Sequence, residues 1–102
     1  SDSAQSATIV VPVGYKIDNC TVYASAGVWG AYGGTVINGT TTTLEAAGQS
    51  VVDSGDHDCA SPLTTFATTW SGTGCGEYVT IVYTPASAGD RLYGAVLRMT
   101  SI

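Results

Sequence analysis

Positive charge is scarce in this sequence. Lys16, Arg91 and Arg98 are the only cations, against eight acids, for a net charge of −5. No basic stripe exists to neutralise phosphates, which argues against a nucleic-acid partner and against docking on anionic membranes. No apolar run approaches the length of about eighteen residues that a helix needs to cross a bilayer, so no membrane span is expected. There is one histidine, His57, and no G-x-S-x-G elbow, so a hydrolytic triad has little to draw on. Charged residues make up only 11% of the chain, and Thr, Ser and Gly take their place. The hydrophobic fraction of 44% is ordinary, so the chain folds by burial. The scattered acids form no block that would draw a basic partner. The chain opens at Ser1 without a Met, which reads as a mature secreted, extracellular form whose signal peptide has been removed.

Cysteine is also sparse. Cys20, Cys59 and Cys75 fit no zinc spacing. In a secreted chain, one disulfide and one leftover thiol is the simplest count. Three pairings are possible, each worth about 3 kcal/mol in the loop-entropy picture. Cys20–Cys59 is preferred, because it joins the first half to the central loop. That leaves Cys75 as a buried thiol or, in the sharper reading, the link in a homodimer. Two sequons, at Asn19 and Asn38, match N-x-[ST]. Asn38 sits in a turn and is the better acceptor.

The material present is β-prone. Residues 66–82 form the organising stretch, two Thr/Val/Ile/aromatic runs about a glycine turn, expected as a hairpin. Residues 1–6 are small, polar and expected to be loose. Residues 7–102 are expected as one β-sandwich domain. Pro12 makes the first strand an edge or ends it. Asn38-Gly39 is the strongest short hairpin signal. Residues 28–34, VWGAYGG, read as a glycine-rich loop, and 45–47 as a helical turn stopped by Gly48. Val79, Ile81 and Tyr83 share one face, and Tyr78, Thr80 and Val82 the other. Both faces are partly apolar, as in a central strand. No stretch keeps a 3.6 period. Seven to eight short strands argue an all-β, Greek-key two-sheet sandwich. Residues 21–37 weakly echo 68–82, each with a Thr/Val–aromatic pair, a glycine turn and a β-branched strand.

At this repeat the chain resembles the βγ-crystallin-like fold, which duplicates a four-stranded Greek key. The run from Trp70 through Gly72 and Gly74 to Cys75 and Gly76 is similar to the hairpin signature of small secreted microbial members, killer toxins and related fungal proteins among them. The resemblance covers about a third of the chain. It implies a crystallin-like sandwich and a toxin-like role. The departures are an acidic chain with three cysteines, where killer toxins are basic and cysteine-dense, and a calcium signature that begins at Asp18-Asn19 but ends in Val22-Tyr23.

Asp56, His57 and Asp58 are the one site-like cluster, a weak metal site or general base set against the plainer reading of a solvated acidic loop. Trp29, Tyr32 and Trp70 are the candidate ligand-binding aromatics, set against the plainer reading that they fill the core. Trp29 and Tyr32 are expected to be the exposed pair. No catalytic residue and no cofactor is expected. The function expected is a secreted non-enzymatic interaction protein of toxin or effector type. Its partner would be a cell-surface or cell-wall component, glycan included. A carbohydrate-binding or adhesion module, and then a small hydrolase or protease inhibitor, are the alternatives.

Overall fold

The computed structural model describes residues 3–36, 39, 41–53, 64–72 and 76–102. Seven strands and no helix are found there: β1 (Gln5–Val10), β2 (Tyr15–Ala24), β3 (Val28–Thr35), β4 (Thr41–Ser50), β5 (Thr64–Ser71), β6 (Glu77–Thr84) and β7 (Leu92–Ser101). They form two antiparallel sheets. The first has the order β1-β6-β3-β4, the second β5-β2-β7. The all-β reading holds. β1 is an edge strand beside Pro12, and its first two residues, Gln5 and Ser6, lie inside the stretch expected to be loose.

Alternation places the core. From the first sheet, Trp29, Ala31, Leu44, Val79, Ile81 and Tyr83 point inward. From the second, Ile17, Cys20, Val22, Ala24 and Phe66 meet them. β6 lies between β1 and β3, which is why both of its faces are partly apolar. β3 and β4 form the hairpin that Asn38-Gly39 announces. Gly34 pairs with Thr41, Gly39 has φ 69°, and its N–H donates to Thr35 O at 2.9 Å.

Three expectations are corrected. Residues 66–82 do not fold as a hairpin: β5 pairs with β2 in the second sheet, and β6 pairs with β1 and β3 in the first. Crossing between sheets lets the Phe66 and Trp70 row of β5 face the inner row of the opposite sheet. The glycine-rich stretch 28–34 is strand β3, not a loop. Its glycines make room for rings: a Cβ at Gly33 would fall 2.6 Å from Trp70 Cδ2, and one at Gly34 would meet the Tyr78 ring. Residues 45–47 belong to β4, which bulges against β3 there instead of turning as a helix. Both copies of the weak repeat make the same crossing, β2 to β3 and β5 to β6, from the second sheet to the first.

The two flanks of the sandwich differ. On one, β4 and β5 close on each other: Ala67 N–H donates to Glu45 Oε2 at 3.2 Å, and Gln49 Nε2 holds Oε1 at 3.1 Å. On the other, edge strands β1 and β7 have no strand between them among the described residues.

Candidate functional site

The aromatic candidates do not form a platform. Trp29 is 1% exposed, its Nε1 donating to Ser50 O at 3.2 Å and its ring centroid 6.5 Å from that of Phe66. The exposed pair expected from Trp29 and Tyr32 is therefore corrected: Trp29 is a core ring because β3 is an inner strand. Tyr32, half-buried, alternates with it and faces outward, opposite Thr43 and Thr80. Trp70 is half-buried and lies across the sandwich on Gly33, and its Nε1 finds no acceptor among the described residues. Asp56, His57 and Asp58 lie outside the described residues, as do Asn38, Cys59 and Cys75. Among the described residues no three His, Cys, Asp or Glu side chains gather as metal ligands. No helix there is long and apolar enough to cross a membrane.

Asn19 is engaged locally. Its Nδ2 donates to Asp18 Oδ1 at 2.7 Å and its Oδ1 accepts from Thr65 Oγ1 at 2.8 Å. A glycan on Nδ2 would leave one N–H there, and the bond to Asp18 would have to use it. Cys20 carries a free, buried thiol, so the expected bridge to Cys59 has no counterpart in the structure. The side chain points into the core between Ile17 and Val22, and burial pushes its pKa from 9.0 up to about 12. The folded protein then holds a proton that the unfolded chain releases above about pH 9. Stability from this thiol is full below that pH and is lost as pH rises toward 12. Iodoacetamide at mildly alkaline pH is expected to leave Cys20 unmodified in the native protein and to alkylate it once denaturant is added, as read by peptide mass mapping.

The feature no local motif announces is the open flank. A cleft of about 260 Å³ runs between β1 and β7. Ala7 and Ile9 form one wall, Ala95 and Leu97 the other, and Val22, Ile81 and Tyr83 the floor. The register explains the second wall. Leu97 pairs with Cys20 and Ala95 with Val22, both fully buried, so this row of β7 points inward. This row is not fully covered: Ala95 is exposed and Leu97 half-buried. Leu92 remains 39% exposed and Met99 41%. Gln5, Ser6 and Tyr83 are the polar residues along it. Tyr83 OH is committed to Ala26 O at 2.6 Å, and burial, then the charge of Asp90, raises its pKa, so it stays a neutral phenol.

Such a cleft binds apolar groups or alternate side chains of an extended chain. Among the described residues that line it there is no carboxylate, imidazole or amine. The sequence signal is present only in part: residues 92–99, LYGAVLRM, are β-prone, but nothing local says that their inner row is left uncovered. The chain matches no protein-family model, no curated protein and no solved structure.

Proposed function

We propose that the protein is a secreted, non-enzymatic interaction protein of the toxin or effector type, acting on other cells or their wall through the open flank of the sandwich. One observation carries this reading: an apolar cleft bordered by two sheet edges and lined, among the described residues, mainly by Ala, Val, Ile and Leu. An exposed apolar cleft costs solubility and is kept where something docks. The shared crossings β2 to β3 and β5 to β6 support reading the sandwich as a Greek key with a βγ-crystallin-like internal duplication. Glycosylation at Asn38 belongs to the same secreted reading.

The carbohydrate-binding alternative loses its first platform with the burial of Trp29. Its exposed rings are then Tyr15, and Tyr93, which is 57% exposed and bonded to Asp53 Oδ1 at 3.3 Å.

The test is binding of fluorescently labelled protein to intact target cells and to their isolated walls. Ala95→Glu puts a charge in the cleft at an exposed strand position. It is expected to abolish binding while shifting stability by no more than about 0.5–1 kcal/mol. Thr43→Glu, on the outer face of the other sheet, is expected to bind normally. Unchanged binding by Ala95→Glu would sink the proposal.

A further inference from the structure

We propose that β1 pairs antiparallel with β1 of a second copy of this chain, joining two four-stranded sheets edge to edge and roofing the apolar cleft. The four sheet edges are not alike. β4 and β5 close on each other through Glu45 and Ala67. β7 carries Arg98, follows directly on Arg91, and breaks its register with β2 twice. Charges and bulges are how sheets keep their edges from pairing. β1 has neither. Its sequence, QSATIV, holds no charge and no proline, and its register with β6 is unbroken from Gln5 to Val10.

The direction of its main chain follows from one bond. Val11 N–H donates to Glu77 O at 2.8 Å, and this pair continues the β1–β6 register. In an antiparallel ladder, residues bonded to one neighbour alternate with residues whose groups point the other way. Gln5, Ala7 and Ile9 therefore bond β6, and Ser6, Thr8 and Val10 turn their N–H and C=O to the open edge. All three are exposed. A second strand is the natural complement of such an edge.

Charge selects the strand. A two-fold axis at Thr8 sets Ser6 against Val10 and Thr8 against its own copy. No like charges oppose each other there, although each copy carries −5. The same operation on β7 would place an Arg98 from each copy in the seam. Because an antiparallel pair keeps both inner rows on one side of the sheet, a second row of Ala7 and Ile9 enters above Ala95 and Leu97. The pairing shares its flank with the proposed target surface but does not rest on that assignment. In the free protein it closes the flank, and a target docking there competes with it by mass action.

The isolated protein, kept in reductant so that no bridge through Cys75 forms, decides the matter. Sedimentation velocity is expected to show a dimer that dissociates on dilution. Amide exchange by NMR is expected to show protection at Ser6, Thr8 and Val10 that is lost as the dimer dissociates. Ser6→Pro removes an edge donor without removing a β6 bond, and Thr8→Lys sets like charges at the axis. Both are expected to sediment as folded monomers. A wild-type monomer at high concentration whose three edge amides exchange freely overturns the pairing, whether or not the flank binds walls and leaves the edge to a foreign strand. So does a dimer that survives both substitutions. Should a variant fail to fold, the wild-type exchange pattern alone is decisive.

Discussion

Trp29→Ala is expected to lower stability by about 3–5 kcal/mol, a large share of what a domain this size has. The ring is 1% exposed and sits on β3 between both sheets, tilted 59° to Phe66. Truncation leaves a void bounded by two rigid sheets, which cannot close to refill it. It also removes the hydrogen bond from Nε1 to Ser50 O. Trp29→Phe keeps most of the volume and loses that bond, so it should cost about 1–2 kcal/mol. Denaturant unfolding followed by circular dichroism separates the two. Equal and small losses would mean that this ring is not the anchor of the core.

Gly27→Ala is expected to be of similar severity for a different reason. Gly27 has φ 121°, which an L side chain rarely adopts. An added Cβ would lie 2.5 Å from Thr84 O and 2.8 Å from Tyr83 Cε1. Backbone strain of about 1–3 kcal/mol combines with overpacking of about 1–3 kcal/mol. The melting temperature should fall by on the order of 10–20 °C. Tyr83 cannot simply step aside, because its OH is held by Ala26 O and its ring floors the cleft. Gly14→Ala is the control, with φ 90° but no atom within 4 Å of the added Cβ. It carries the strain without the collision and should cost less. A Gly27→Ala protein that melts with the wild type would contradict the packing described around Tyr83.

What the sequence made legible is what depends on neighbours along the chain. The alternation of Val79, Ile81 and Tyr83 marked β6 as central, and Asn38-Gly39 marked the β3–β4 hairpin. Pro12 marked an edge. What it hid depends on partners far away. Gly33 looks like a loop residue because the Trp70 ring that needs its space lies in another strand. Two β-prone runs about a glycine turn look like a hairpin whether they pair or cross. Here they cross, because both carry an inner row that needs an opposite sheet. The site is the extreme case. Its walls, Ala7 and Ile9 against Ala95 and Leu97, come from opposite ends of the chain. Of the aromatics that stand out in the sequence, Trp29 and Trp70 turn out to be packing residues, Trp29 most plainly. Their size is what made them conspicuous, and it is also what a small core needs.

Amide shift mapping with a solubilised cell-wall fraction from target cells bears most directly on the open flank as the contact surface. If that flank is what docks, shifts concentrate at Ala7, Ile9, Ala95 and Leu97 and spare the outer face around Tyr32 and Thr43. Shifts centred on Tyr32 and Thr43 with the β1 and β7 rows unmoved, or no shifts anywhere, would contradict it.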